Sequence, residues 1–182
     1  LSSIVAVDVN AEAVAAARAR AAAAGPGAGP ERLRFEVGDV LDFAPEAGCA
    51  RFDVVLLQLV LSVVGGPEHR RRLLRAARAA LAPRGVLLLS ASGASGDINA
   101  QYAELYARDE PLTGEARTYL SRAADGSVLY PTHHFEEAEL RGLLEAEGLR
   151  PLQLLREREA SSRRPDQAAW FLYAVAAPAE AP

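Results

Sequence analysis

Lysine is missing from this sequence, because all 20 basic residues of the 182-residue chain are arginines. Methionine is also missing, and the chain has a single cysteine, Cys49. Without lysine, the chain cannot use a lysine Schiff base, a phosphate-loop lysine or the Tyr-Lys pair of hydride transfer. One cysteine excludes an internal disulfide and a zinc site built on several thiolates. We therefore expect no metal site, and we interpret Cys49 as inert.

Long apolar runs and a strong net charge are missing as well. No run approaches the roughly 20 apolar residues that a membrane span requires. The net charge of −4 offers no attraction to nucleic acid or to an anionic membrane. Half of the residues are hydrophobic and 24% are charged, which is typical of a globular protein. The sequence predicts one domain over residues 1–182, in the cytoplasm, without nucleic-acid or membrane partners.

The first half of the chain alternates short apolar runs with helical patterns. Ile4 to Val7 predicts a buried strand, and Asn10 predicts the cap of a helix over 11–24. Further along, the patterns predict strands over 33–37 and 52–57, a helix from Pro67, a turn at 83–85 and a strand over 86–89. This order predicts an α/β fold with a mostly parallel, Rossmann-like sheet and helices on both faces.

Residues 92–132 interrupt this alternation. They contain a predicted short helix around 98–108 and four tyrosines, and we interpret the segment as an inserted lid. An amphipathic pattern then predicts a helix over about 136–147. Two final apolar runs, about 151–158 and 168–176, predict an antiparallel hairpin that closes the sheet.

Two aspartates follow the first two predicted strands, where ligands of open parallel sheets bind. Asp8 could accept hydrogen bonds from both hydroxyls of a ribose, or it could simply favour the following helix N-terminus. Asp39 could accept an adenine amino group, with the Val40 N–H near a ring nitrogen, or it could only end a strand. These two acids do not separate a nicotinamide nucleotide from S-adenosylmethionine.

Several segments, in this order, resemble the class I S-adenosylmethionine-dependent methyltransferases. They are Ile4–Asn10, Arg34–Asp42, Phe52–Gln58, the Leu-Ala-Pro-Arg-Gly run that ends at Gly85, and the helix after His134-Phe135. The resemblance implies S-adenosyl-L-methionine as the cofactor. Its implied contacts are Asp8, Val9, Asp39, Val40 and Gln58. No catalytic residue is implied, because the cofactor already carries the activated methyl group.

The family also has a first strand and a Gly-x-Gly loop, which by this resemblance would precede Leu1. We therefore expect a domain that lacks both, with an exposed sheet edge that favours self-association. The resemblance implies a small-molecule acceptor, and the residues predicted to contact it are Ser62, Tyr102, Tyr106 and His133. His133 and His134 should point to opposite sides of an extended chain, as structural residues or with one as a general base.

Two other readings remain open. A short-chain nicotinamide dehydrogenase also places acids after its second and third strands, but it requires a lysine four residues after its catalytic tyrosine. A non-catalytic or partner-dependent remnant of the methyltransferase fold would bind no cofactor by itself. Cofactor binding discriminates between these readings. The run Arg70-Arg71-Arg72 is predicted to be a solvated helix face.

Overall fold

The computed structural model describes residues 3–24, 32–43, 51–161 and 164–179. Cys49 lies outside these residues. The chain divides into two compact units, an N-terminal unit (residues 1–47) and a C-terminal unit (residues 48–182). None of the helices in the described part is both long enough and apolar enough to cross a membrane.

The N-terminal unit is a strand–helix–strand unit with a parallel pair of strands. It consists of β1 (Ile4–Asp8), α1 (Ala11–Ala23) and β2 (Leu33–Val37). The two strands pair in parallel from Ile4 opposite Leu33 to Asp8 opposite Val37. Asn10 caps α1, since its Oδ1 accepts hydrogen bonds from the N–H groups of residues 12 and 13 at 2.9 and 3.0 Å. The predicted strands, helix and cap are all present, but the prediction that the first strand is buried is wrong, because β1 is only partly buried and Ile4 is exposed.

The C-terminal unit contains a four-stranded mixed sheet. Its elements are β3 (Phe52–Gln58), α2 (Val60–Val63), α3 (Pro67–Ala80), β4 (Leu81–Ser92), α4 (Ala100–Thr113), β5 (Thr118–Arg122), β6 (Val128–His133), α5 (Glu137–Ala146), β7 (Leu149–Ser161) and β8 (Arg164–Pro178). The strand order is β3-β4-β8-β7, and only β3 and β4 are parallel within this sheet.

The predicted closing hairpin is present as β7 and β8, but the prediction of a mostly parallel sheet is wrong. Of the five strand pairings among the described residues, three are antiparallel. The physical reason is that β8 lies between β4 and β7 and runs against both. β5 and β6 form a separate antiparallel pair, which the sequence interpretation of 92–132 did not include.

A bulge replaces the predicted turn before β4. The strand already begins at Leu81, which pairs with Phe52, and the register then jumps so that Val54 lies opposite Val86. At Gly85, an added Cβ would lie 2.7 Å from the carbonyl oxygen of Phe52. This close approach of two backbones requires glycine at the bulge.

Leucines from two helices form the core of the C-terminal unit. Leu73 and Leu74 of α3 and Leu140 and Leu144 of α5 are fully buried, as their helical spacing predicts. Each such side chain contributes about 1.5–3 kcal/mol by leaving water. The same α3 also buries Arg70, which is only 2% exposed. The prediction that residues 70–72 form a solvated face is therefore wrong at Arg70.

Candidate functional site

Asp8 and Asp39 lie at the same edge of the N-terminal unit's two-stranded sheet. Asp8 is the last residue of β1 and pairs with Val37, and Asp39 comes two residues after Val37. The carboxyl ends of both parallel strands therefore each present a carboxylate. This is the arrangement that the sequence predicts for a nucleotide site.

Local turns fix both carboxylates. Asp8 Oδ1 accepts the N–H of Asn10 at 2.7 Å, and Asp39 Oδ1 accepts the N–H of Leu41 at 2.8 Å. Since Asn10 caps α1, Asp8 is not needed for that purpose. No donor among the described residues contacts the other oxygen of either carboxylate. Each acid is thus oriented and keeps one acceptor for a ligand.

Two valines flank these acids. Val9 follows Asp8 and is 69% exposed. Val40 is partly buried in a turn, in which the N–H of Asp42 donates to the Asp39 carbonyl at 3.0 Å. The roles that the family resemblance implies for Val9 and Val40 stay predictions.

The C-terminal unit contains a cavity of about 290 Å³ at the carboxyl end of β3. Its aromatic lining consists of Tyr102, Tyr119, Tyr130, Trp170 and Phe171. Its polar lining consists of Gln58, Ser62, Ser92, Thr132 and His134. The described lining contains no aspartate, glutamate or arginine side chain. The cavity is therefore rich in aromatic faces and hydrogen-bonding groups and carries no formal charge while His134 is neutral.

A strained turn places Gln58 and Ser62 at this cavity. Gln58 ends β3 opposite Ser90, and Leu59 then adopts a left-handed conformation with φ of 58°. The Leu59 N–H donates to the Ser90 carbonyl and hydroxyl oxygens at 3.0 and 3.1 Å. Ser62, on the short α2, accepts the N–H of Ser92 at 2.8 Å. A left-handed leucine costs about 1–2 kcal/mol, and these hydrogen bonds hold it in place.

Three tyrosines surround one histidine beside the cavity, and we call Tyr102, Tyr106, Tyr119 and His134 the tyrosine–histidine cluster. The ring centroids of the tyrosines lie 4.8, 5.6 and 5.4 Å from that of His134. The Tyr106 hydroxyl lies 2.6 Å from His134 Nδ1, and its oxygen accepts the N–H of Ser95 at 3.3 Å. Burial raises the pKa of Tyr106 well above its ordinary range, so its hydroxyl keeps its proton at neutral pH.

Only some of the residues predicted to contact the acceptor line the cavity. Tyr102 lines the cavity, whereas Tyr106 does not and packs behind Tyr102, Tyr119 and His134, which do. His133 does not line the cavity either, although His134 does. The alternation of an extended chain predicts this opposition of neighbouring side chains, but it does not say which histidine faces the cavity.

His133 lies in a buried polar network on the other side of β6. Its Nε2 lies 2.9 Å from Glu139 Oε1, and its Nδ1 lies 2.7 Å from Thr118 Oγ1. The Thr118 hydroxyl donates to Glu115 at 3.1 Å, so it accepts from Nδ1. Both ring nitrogens of His133 therefore lie within hydrogen-bonding distance of oxygen atoms of this network. Within the described ranges, no three His, Cys, Asp or Glu side chains are arranged to hold a metal ion.

Glu139 gives this network a testable pH dependence. Burial alone would raise its pKa, but hydrogen bonds from His133 and Arg117 outweigh burial and lower the pKa from 4.5 to about 2. Glu139→Gln should lower the free energy of unfolding at pH 7 by about 1–2 kcal/mol. This value is smaller than the pKa shift alone implies, because the carboxylate is one third exposed and water screens its charge. Because the folded pKa is depressed, this difference is fully present above pH 4.5 and is lost as the pH falls towards 2.

Urea unfolding of both proteins between pH 7 and pH 3 measures this difference. Glu137→Gln is the matched control, because Glu137 is exposed in the same first turn of α5. The control should change stability by less than about 0.5 kcal/mol. A loss in Glu139→Gln that does not depend on pH would contradict the electrostatic explanation.

Sequence comparison finds a family match in the N-terminal part of the chain. Residues 1–87 match the family model described as a methyltransferase domain. Residues 1–87 are therefore similar to a methyltransferase domain. This match confirms the resemblance to class I S-adenosylmethionine-dependent methyltransferases inferred from the sequence. No protein with curated annotation matches the chain significantly.

Solved methyltransferases share the fold of the chain. An S-adenosylmethionine-dependent methyltransferase from Methanosarcina mazei is 23% identical with a TM-score of 0.82, over 98% of this chain and 83% of its own. The 1,6-didemethyltoxoflavin-N1-methyltransferase of Burkholderia thailandensis is 22% identical with a TM-score of 0.60, over 97% and 61%. The N-methyltransferase NodS of Bradyrhizobium japonicum is 16% identical with a TM-score of 0.60, over 98% and 67%. At these identities, the likeness establishes the α/β methyltransferase fold.

Proposed function

We propose that this methyltransferase domain binds S-adenosyl-L-methionine and transfers its methyl group to a small-molecule acceptor. The observation that carries the proposal is the pair of oriented carboxylates, Asp8 and Asp39, at one edge of the parallel β1–β2 pair. Each keeps one oxygen for a ligand. The donors that such oxygens suit are the hydroxyls and the amino group of an adenosine.

The adenosine part of the cofactor fits these residues chemically. Asp8 would accept from the ribose hydroxyls, and each charge-assisted bond contributes about 1.5–3 kcal/mol. Asp39 would accept the adenine amino group, and the Val40 N–H would donate to a ring nitrogen. Val9, 69% exposed, would supply an apolar contact. The turns at Asn10 and Leu41 orient both acids before the ligand arrives, which reduces the entropic cost of binding.

The cavity of the C-terminal unit would receive the acceptor. When bound, the cofactor supplies a methyl group already activated on a sulfonium. The residues of the chain then position the acceptor and exclude water from it. Gln58 would donate to the acceptor or to the amino-acid end of the cofactor, while Ser62 and Tyr102 frame the cavity. We propose His134 for the role that the sequence assigned to His133, because His134 is the histidine that lines the cavity.

Cofactor binding tests the proposal. Isothermal titration with S-adenosylhomocysteine should give a micromolar dissociation constant. Asp8→Ala should weaken it about 10- to 100-fold, since it removes at least one charge-assisted bond. Glu12→Ala, which removes an exposed acid from the same unit, should change the constant less than about twofold.

Two results would count against the proposal. Unchanged affinity in Asp8→Ala would remove Asp8 from the site. Absence of binding, both by this chain and by the longest chain that its gene encodes, would favour the non-catalytic, partner-dependent reading instead. Self-association through a sheet edge stays a separate prediction, which sedimentation equilibrium of the same samples would test.

A further inference from the structure

We propose that Arg117 is a positioning residue for the acceptor cavity, because it holds His133 on the side of β6 away from the cavity and thereby keeps His134 at the cavity. The proposal rests on the proposed function only in taking this cavity as the acceptor site. Three features of Arg117 carry it. They are a strained backbone, a carbonyl group bonded to His134, and a guanidinium bonded to the carboxylate that contacts His133.

The backbone of Arg117 is strained. Its φ of 58° lies in the left-handed region, which a residue with a long side chain adopts only at a cost. Glycine would avoid that cost, since it has no Cβ. In addition, Arg117 Nε is buried without a hydrogen-bond partner among the described residues, which is also unfavourable. Two unfavourable features at one residue indicate that the arginine side chain has a role that glycine could not fill.

The Arg117 carbonyl holds the backbone of His134. The His134 N–H donates to this carbonyl oxygen at 3.1 Å. The bond lies next to the pair of Thr118 and His133, with which the β5–β6 ladder begins. It therefore extends the ladder by one hydrogen bond and ties His134 to the residue that precedes β5.

The Arg117 side chain acts on the other histidine through Glu139. Arg117 Nη2 donates to Glu139 Oε2 at 2.9 Å, and Glu139 Oε1 lies 2.9 Å from His133 Nε2. The second ring nitrogen of His133 lies 2.7 Å from Thr118 Oγ1. Both ring nitrogens of His133 thus have partners in the buried network. His133 cannot change places with His134 unless these contacts break.

The consequence is a defined position for His134 within the tyrosine–histidine cluster. Its ring centroid lies 4.8, 5.6 and 5.4 Å from those of the three tyrosines. The charge of Arg117 also acts on this cluster, since burial raises the pKa of Tyr106 and Arg117 opposes part of that rise. Arg117 is not among the described residues that line the cavity, so it acts there through its neighbours.

Three substitutions separate the backbone of Arg117 from its side chain. Arg117→Gly removes the strain and the guanidinium, Arg117→Ala removes only the guanidinium, and Arg117→Lys keeps the strain and the positive charge. Because glycine tolerates a positive φ, Arg117→Gly should unfold at a urea concentration about 0.3–0.7 M higher than Arg117→Ala. This difference measures the strain alone, since both variants lack the guanidinium.

The position of His134 should follow the side chain instead. The chain has three histidines, so the His134 ring resonances can be assigned from their loss in His134→Gln. Nuclear Overhauser contacts between this ring and the tyrosines of the cluster then measure its position. We expect most of their intensity in Arg117→Lys and a severalfold loss in both Arg117→Gly and Arg117→Ala. A site that loses its supporting contacts loosens by about 1 Å, and the intensity falls steeply with distance.

Two further variants complete the test. Glu139→Gln breaks the same chain of contacts one step further along, so it should weaken the ring contacts even if the Arg117 variants fail to fold. Arg141→Ala removes an exposed arginine from the same helix α5 and should leave the contacts unchanged.

A role in stability alone would give a different pattern. The contacts would then follow the urea midpoints, so that Arg117→Gly would keep more of them than Arg117→Ala, and this result would overturn the proposal. Unchanged contacts in Arg117→Gly and Arg117→Ala would also overturn it, as would an equal loss in Arg117→Lys.

The titration with S-adenosylhomocysteine separates this proposal from the proposed function. Cofactor binding together with unchanged ring contacts would overturn only the role of Arg117. Weakened ring contacts without cofactor binding would leave Arg117 as the residue that positions His134 and would remove the claim of methyl transfer.

Discussion

Arg70→Ala should lower the free energy of unfolding by about 3–5 kcal/mol, because it breaks a buried ion pair. Arg70 is 2% exposed, forms an ion pair with Glu115 and donates to the Val64 carbonyl at 3.3 Å. Its guanidinium carbon also lies 5.7 Å from the centre of the Phe135 ring. Truncation would leave Glu115 without this partner and would open a cavity beside a fully buried aromatic ring.

Urea unfolding with a neighbouring arginine as control measures this effect. Arg72 is exposed, two residues away on the same helix, so Arg72→Ala should change stability by no more than about 0.5 kcal/mol. Equal losses in the two variants would mean that helix propensity or net charge, rather than the buried pair, determines the effect.

Asp109→Ala should cause a loss of similar size, about 3–5 kcal/mol, since Asp109 is a completely buried carboxylate. It accepts hydrogen bonds from Arg122 at 2.9 and 3.0 Å and from the N–H of Leu120 at 2.9 Å, and Arg108 pairs with it as well. Hydrogen bonds from Arg108 and Arg122 hold its pKa well below the ordinary 3.8. The stabilisation is therefore complete above pH 4 and declines only as the pH falls below that value.

Hydrogen exchange would locate the effect of this variant. Asp109 joins α4 to β5, so amides near Leu120 should exchange faster in Asp109→Ala than those of the β7–β8 hairpin. Glu110→Ala, an exposed neighbour on α4, is the matched control and should leave both rates unchanged. Uniform acceleration across the C-terminal unit would contradict a local role for Asp109.

The sequence was informative wherever structure depends on local spacing. The apolar period of α3, the cap at Asn10 and the short apolar runs that form β1 and β2 are all patterns within a few residues. The burial of Arg70 could not be predicted in this way. Its partner, Glu115, lies 45 residues further along the chain, and Arg70 and its neighbours look alike in sequence.

The direction of the strands, and the side of a strand on which a given side chain lies, also depend on contacts between distant residues. That β8 lies between β4 and β7 is a property of the assembled sheet, which no local pattern of the chain encodes. A local signal for the β5–β6 hairpin was present in the Asp125-Gly126 turn, although Pro131 in the second strand weakened it. Alternation predicted that His133 and His134 face opposite ways, but only the packing of β6 decides which one faces the cavity.

The position of β8 has a consequence for the way the chain folds during synthesis. β4 and β7 both pair with β8, and β8 is the last of these strands to leave the ribosome. Until it emerges, β4 lacks its partner on that side and β7 has none in this sheet, so both present unpaired backbone groups to other nascent chains. The four-stranded sheet must therefore assemble after elongation has passed Pro178, and chaperones that shield strand edges would act before that point.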